Sequence, residues 1–289
     1  MDKLHRFLID EANVRGEWVQ LDGAWQALTD CADYPAPVRQ MLGEAFAAVA
    51  LLAATIKYNG TLIIQVNGGN PLSMLVVQAS SEGKMRGMAR WSGDVGVEPT
   101  IPALFGKEAT LVITVEPRES KGERYQSVVA LQGQTLAECL TAYFEQSEQL
   151  STFLKLAVGE SSVAGLMVQR LPGTAEDEDG WDRARMLAET AQSEELLTLD
   201  VETLLRRLFH EENVRLYEAE PLSFECGCSQ EKVDNMLIGL GREEVEATLQ
   251  KQGKIEITCD FCNADYGVDK IDLERIFSER VLSGNDSVH

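Results

Sequence analysis

The stretch Cys226-Gly227-Cys228 is followed thirty residues later by Cys259-Asp260-Phe261-Cys262, so two close cysteine pairs lie near the end of the chain. A tetrahedral zinc ion takes two ligands from each of two such pairs, and CxxC is the usual spacing of a zinc knuckle. The chain has three histidines, and none lies between the pairs. We therefore expect one Zn²⁺ per reduced chain, held by four sulfur ligands. These are Cys226, Cys228, Cys259 and Cys262.

The alternatives to a metal site agree less well with the sequence. Two disulfides would suit a secreted domain, but residues 1–6 are not followed by the apolar segment of a signal peptide. Chance clustering is also disfavoured, because four of the six cysteines fall within residues 226–262. A thioredoxin-type CxxC belongs to a βαβ pattern, which is not found here. The remaining cysteines, Cys31 and Cys139, are expected to be small buried apolar residues on helices.

The same thiolates that bind zinc are the form of cysteine that oxidants attack. Peroxide or hypochlorous acid would therefore form disulfides and destroy the ligand set. Near neighbours meet most often once the metal is gone, so we expect the disulfides Cys226–Cys228 and Cys259–Cys262. The ring closed by the CxC pair is strained, which leaves bridges between the two pairs as the alternative.

The cysteine segments resemble those of a known family, the redox-regulated 33 kDa chaperonins, also called heat shock protein 33. The resemblance rests on FECGCSQEK at residues 224–232 and ITCDFC at residues 257–262, which have the family's separation. GLMVQRLP at residues 165–172 also resembles the end of the family's core domain. Asn263 stands where the family commonly has glycine, but Asn tolerates the left-handed turn that a knuckle needs.

The resemblance implies a chaperone and not an enzyme. It implies an ATP-independent holdase that binds unfolding proteins and prevents their aggregation under oxidative stress. Such a protein is inactive when reduced and zinc-bound, and it is activated by disulfide formation and zinc release. The resemblance also implies that the active form is a homodimer.

The charge of the chain limits its partners. The net charge is −21, and residues 172–289, with 12 basic and 28 acidic side chains, contribute −16 of it. An acidic chain argues against a nucleic-acid partner, because such binding requires Lys and Arg at the phosphates. The longest apolar run, residues 45–56, is too short to span a bilayer. We therefore expect a cytoplasmic protein with no membrane partner and with reduced thiols.

Two sequence patterns typical of enzymes, the nucleophile elbow and the P-loop, are also missing. Gly159-Glu160-Ser161-Ser162-Val163 has valine in place of the second glycine of a nucleophile elbow. The chain has no P-loop, which agrees with a function that does not use ATP. We expect no catalytic residues.

Hydrophobic periodicity predicts an α+β fold, in which residues 1–172 form an N-terminal core domain with a mostly antiparallel sheet. A hairpin is expected from residues 4–10 and 14–21, with its turn near residues 13–16. The apolar residues 36–57, preceded by proline, predict a buried helix. Further strands are predicted at residues 61–66, 72–79, 84–91, 111–115, 126–131, 154–158 and 166–171, and a helix at residues 135–149.

The next segment, residues 173–221, is predicted to be an acidic helical linker. Residues 172–220 contain 14 acidic and 5 basic side chains. Helical spacing over residues 181–209 nevertheless produces one apolar stripe. The stripe consists of Leu197, Val201, Leu204, Leu205 and Leu208. It suits either an ordinary helix packed on its own domain or a detachable segment whose stability depends on docking.

Residues 222–289 are predicted to form the C-terminal zinc-binding, redox-switch domain. Helices are expected at residues 231–240, 243–250 and 272–280, with a strand at residues 254–258. Two other functions remain open from the residues alone. The domain could be a zinc-ribbon-like protein-interaction module with a purely structural metal, or its CxxC pair could serve a thiol oxidoreductase.

Overall fold

The structure is a computed structural model that describes residues 2–118, 124–173 and 177–283. The beginning of the predicted acidic run, residues 174–176, lies outside the described residues. The chain divides into two compact units, Met1–Glu225 and Cys226–His289. The predicted division into core domain, linker and zinc domain concerns independent folding, so it remains a prediction.

The first unit contains both strands and helices. Its strands are β1 (Lys3–Ile9), β2 (Val14–Leu21), β3 (Gly60–Asn67), β4 (Leu72–Ser80), β5 (Lys84–Trp91), β6 (Thr110–Pro117), β7 (Tyr125–Ala130), β8 (Thr152–Val158), β9 (Val163–Arg170), β10 (Val214–Leu216), β11 (Glu220–Pro221) and β12 (Ser223–Phe224). Its helices are α1 (Gly23–Thr29), α2 (Ala36–Thr55), α3 (Ile101–Phe105), α4 (Leu136–Tyr143), α5 (Gly180–Glu189), α6 (Ser193–Thr198) and α7 (Val201–Phe209), with a π-helical turn at Phe144–Glu148.

Within the described residues these strands form two six-stranded sheets. The first sheet has the order β10-β1-β2-β9-β8, with β11 also paired to β1, and the second has the order β12-β5-β4-β3-β6-β7. The pairing is antiparallel throughout except between β12 and β5. The predicted α+β class with mostly antiparallel strands is confirmed.

Helix α2 is the centre of the larger core. It begins after Pro35, with a second proline at Pro37 in its first turn, and it is buried along most of its length. Its side chains pack with residues of both sheets in one apolar cluster. Among the described residues it is the one helix long and apolar enough to cross a membrane, and that composition is explained here by burial in the core.

The other face of the first sheet is covered by the acidic segment, α5 to α7. Leu204 and Leu208 of α7 pack in one apolar cluster with side chains of β1, β2 and β9. The amide of Gln20 in β2 donates a hydrogen bond of 2.5 Å to the carbonyl oxygen of Leu197. The predicted apolar stripe therefore docks onto the first sheet, although Leu197 itself is only half-buried.

Several predicted boundaries were wrong. The first hairpin turns at residues 10–13 instead of 13–16, and Asn13 has the left-handed conformation there (φ 51°). Residues 181–209 form three helices, because the Gln192 and Asp200 caps restart the helix twice. Helix α3 was not predicted, and a π-helical turn at Phe144–Glu148 takes the place of the last part of the helix predicted at residues 135–149.

The second unit is small. Its elements are α8 (Gln230–Leu240), α9 (Arg242–Gln252), β13 (Ile255–Thr258), β14 (Asp265–Val268) and α10 (Lys270–Ser283). Strands β13 and β14 form an antiparallel hairpin. The buried core consists of Val233, Leu237, Val245, Leu249, Val268, Leu273 and Ile276. The predicted helices and the strand before Cys259 are confirmed, whereas β14 was not predicted.

Candidate metal centre

The four cysteines of the two pairs meet in the second unit. The Sγ atoms of Cys226, Cys228, Cys259 and Cys262 all lie within 4.8 Å of one another. The Cys226 and Cys259 sulfurs are 3.5 Å apart, and those of Cys228 and Cys262 are 3.3 Å apart. Sulfurs bound tetrahedrally at about 2.3 Å from zinc lie about 3.8 Å from one another. The arrangement could therefore hold a metal ion after small shifts of the side chains.

Each cysteine pair is positioned by a short local motif. The Ser229 side chain, directly after Cys228, caps α8 by accepting a hydrogen bond from the Lys232 backbone. The second pair lies in the turn between β13 and β14, where the Cys259 backbone donates to the carbonyl oxygen of Ala264 at 2.9 Å. Asn263 has φ 54°, which confirms the left-handed turn expected at this position.

Two further side chains contact the Cys226–Cys228 loop. The hydroxyl of Tyr266 in β14 donates a hydrogen bond to the Cys228 sulfur at 3.0 Å. The ammonium of Lys232 donates to the carbonyl oxygen of Gly227. Sequence reasoning missed both contacts, and the position of Tyr266 four residues after Cys262 was the available signal.

Three thiols of the cluster differ in acidity. The Tyr266 hydrogen bond lowers the pKa of Cys228 to about 7. Burial raises the pKa of Cys226 and of Cys262. Cys228 is thus the most acidic of these three, and its thiolate forms near neutral pH. In turn, the hydrogen bond to Cys228 raises the pKa of Tyr266 to about 12.

The other two cysteines do not belong to this group. Cys139 lies on α4 and is 5% exposed, and burial raises the pKa of its thiol to about 11. Cys31 follows the end of α1 and is half-buried, and its thiol donates to the carbonyl oxygen of Ala27 at 3.1 Å. The expected burial is therefore found at Cys139 but only in part at Cys31.

Comparisons with known proteins agree on one family. A family model described as Hsp33 protein matches residues 2–269. The 33 kDa chaperonin of Nitrosococcus oceani is 47% identical over 280 residues, which cover 97% of this chain and 96% of that protein. The 33 kDa chaperonin of Chromobacterium violaceum is 45% identical over 98% of this chain and 96% of that protein.

A solved structure shares the fold. The crystal structure of the 33 kDa chaperonin, a heat shock protein 33 homolog, from Thermotoga maritima superposes with a TM-score of 0.81 at 21% identity. The match covers 97% of this chain and 99% of that one. The similarity therefore includes the part of the chain that carries the four cysteines.

Proposed function

We propose that this chain, which belongs to the Hsp33 family, is a redox-regulated chaperone. It is a holdase that binds unfolding proteins without ATP and prevents their aggregation. The observation that carries the redox part is the cluster of four sulfurs within 4.8 Å of one another. No catalytic residue is proposed.

The proposed inactive form is reduced and holds one zinc ion. The ligands are Cys226, Cys228, Cys259 and Cys262. A bound Zn²⁺ would hold the four thiolates together and add on the order of 10 kcal/mol to the folding of a small metal-binding domain. The apolar core of the second unit is small, so we expect this unit to unfold when its ligand set is destroyed.

The proposed trigger is oxidation of the thiolates by a peroxide. Two thiolates of one pair give two electrons to hydrogen peroxide, and an S–S bond forms. The O–O bond breaks, and two protons are taken up to yield two water molecules. The proposed disulfides are Cys226–Cys228 and Cys259–Cys262, formed after the metal has left. The sulfur contacts of 3.5 Å and 3.3 Å join cysteines of different pairs, so pairing within each motif requires the side chains to rearrange.

The acidic segment is proposed to be the second part of the switch. Its helices α5 to α7 bury an apolar face on the first sheet. Residues 172–220 contain 14 acidic and 5 basic side chains, and their mutual repulsion opposes a compact state. Release of this segment would expose apolar surface on both the helices and the sheet, which suits the binding of unfolding proteins.

Unfolding proteins are the proposed clients. The active form is proposed to be a homodimer, as the family resemblance implies, and the proposed location is the cytoplasm. The net charge of −21 argues against nucleic acid as a partner.

Metal analysis of cysteine variants tests the proposed ligand set. We expect Cys226→Ser, Cys228→Ser, Cys259→Ser and Cys262→Ser each to lose tight zinc binding, because each removes one of four ligands. Cys31→Ser makes the same chemical change outside the cluster and should retain one zinc per chain. Full-affinity zinc in any of the four cluster variants would contradict a four-sulfur site.

A further inference from the structure

Tyr266 is held so that its hydroxyl reaches a predicted metal ligand. It lies on β14 opposite Ile257 of β13, two residues before Cys259. Its ring packs against the apolar core of the second unit. The hydroxyl donates to the Cys228 sulfur at 3.0 Å. The half-buried ring packs on one side against this core, and its hydroxyl links the β13–β14 hairpin to the Cys226–Cys228 loop.

We propose that Tyr266 is a positioning residue of the metal centre, which keeps Cys228 in the ligand set and lowers the reactivity of its sulfur while metal is bound. This inference rests on the proposed function. Four thiolates around a divalent ion leave an excess of two negative charges, and hydrogen-bond donors that contact the ligand atoms stabilise such a site. A donor at the sulfur withdraws electron density, so the metal-bound sulfur becomes a weaker nucleophile.

Lys232 of α8 contacts the same loop in a different way. Its ammonium donates to the carbonyl oxygen of Gly227, so it brings positive charge to the loop through the backbone. Tyr266 instead acts at the sulfur. We therefore expect the loss of the Tyr266 hydroxyl to affect Cys228 more than the three other cysteines.

The test is Tyr266→Phe in the full chain, since this change keeps the ring and removes only the hydroxyl. The zinc-loaded protein is treated with iodoacetamide, and the alkylation rate of each cysteine is measured by mass spectrometry. We expect Cys228 to react about three- to tenfold faster, as the net contribution of a single hydrogen bond implies. The other three cysteines should react at nearly their wild-type rates.

Thr258→Val is the matched control. It removes a hydroxyl from the same hairpin, one that donates to Asp265 Oδ1 at 2.6 Å and not to a cysteine sulfur. We expect this variant to leave the rate at Cys228 unchanged. Equal acceleration at all four cysteines in Tyr266→Phe would indicate a loosened hairpin and would contradict the inference, and so would an unchanged rate at Cys228.

Cobalt binding provides a second measurement, which a loss of stability alone would not change. With Co²⁺ as the probe, the sulfur-to-metal charge-transfer bands of Tyr266→Phe should shift to lower energy. Without the hydrogen bond from the hydroxyl, the Cys228 sulfur donates electron density to the metal more readily. If Tyr266→Phe binds Co²⁺ and its bands are unshifted, the inference about Tyr266 is contradicted, but the metal centre is not. A wild-type chain that binds no Co²⁺ would contradict the metal centre itself, and this inference with it.

Discussion

At the scale of single residues, the carboxyl group of Glu17 is an unusual feature of the first unit. Glu17 lies on β2 and is 2% exposed. Its nearest cation is the Arg15 guanidinium, 3.8 Å away, and that guanidinium also donates to the Thr55 carbonyl oxygen and the Gln169 side chain. The second carboxyl oxygen of Glu17 has no hydrogen-bond partner among the described residues. Burial raises the pKa of Glu17 to about 7.

The raised pKa makes the stability of the first unit depend on pH. The pKa of Glu17 is about 7 in the folded chain against an ordinary value of 4.5. Its contribution to stability is therefore complete below pH 4.5 and is lost as the pH rises through about 7. A shift of this size corresponds to roughly 3 kcal/mol. In urea unfolding of the reduced chain, we expect Glu17→Gln to remove this decline in the free energy of unfolding.

The control for this prediction is Glu98→Gln, which changes an exposed carboxylate in the same unit. It should retain the decline in the free energy of unfolding that the wild type shows between about pH 4.5 and pH 7. An equal decline in Glu17→Gln and Glu98→Gln would show that Glu17 is not the group responsible.

The residues of the candidate site differ in how well sequence could predict them. The four cysteines carry their chemistry in their spacing, so they could be identified without a fold. Spacing alone did not identify Tyr266, although it lies four residues after Cys262, because its proposed role depends on a strand that pairs it with Ile257 and turns it towards Cys228. The burial of Glu17 could not be predicted either, since alternation along β2 does not reveal that both faces of the first sheet are covered.

At the scale of elements, the acidic segment buries an apolar face on the first sheet. Leu204 of α7 has no exposed surface. Replacing it with alanine leaves a cavity, and such a change costs about 2–5 kcal/mol. We expect Leu204→Ala to release the segment without oxidant. Hydrogen exchange of the reduced, zinc-bound variant should show faster exchange over residues 180–209, whereas α2 should remain protected.

Met186→Ala is the control for the segment. Met186 lies on α5 and is 54% exposed, so its truncation removes little packing. Exchange over residues 180–209 should then match the wild type. Protection that stays at the wild-type level in Leu204→Ala would mean that docking does not limit the stability of the segment.

The acidic segment also shows where periodicity was insufficient. The apolar stripe was predicted correctly as a buried face, but its helices were joined into one. The breaks depend on caps, such as the Asp200 side chain that accepts from the Thr203 backbone at 2.9 Å. Capping residues are common in acidic sequences, so Gln192 and Asp200 could not be distinguished from solvent-exposed polar residues before the fold was known.

At the scale of the whole molecule, the chain after α7 returns to both sheets of the first unit. β10 and β11 pair with β1, and β12 pairs with β5. The fold class could be predicted from alternating and helical patterns. The sheet orders could not, because they join strands far apart in the chain, such as β1 and β11, where Leu4 pairs with Glu220. Local patterns carry no information about such pairing.

We propose that oxidation of the cysteine cluster switches on the binding of unfolding proteins. The test is light scattering by a thermally unfolding client protein, with the reduced zinc-bound chain and the peroxide-oxidised chain compared at equal concentration. We expect suppression of aggregation after oxidation alone, and its loss when the oxidised chain is reduced with zinc present. Equal suppression by both forms, or none by the oxidised form, would contradict the claim and favour a purely structural metal.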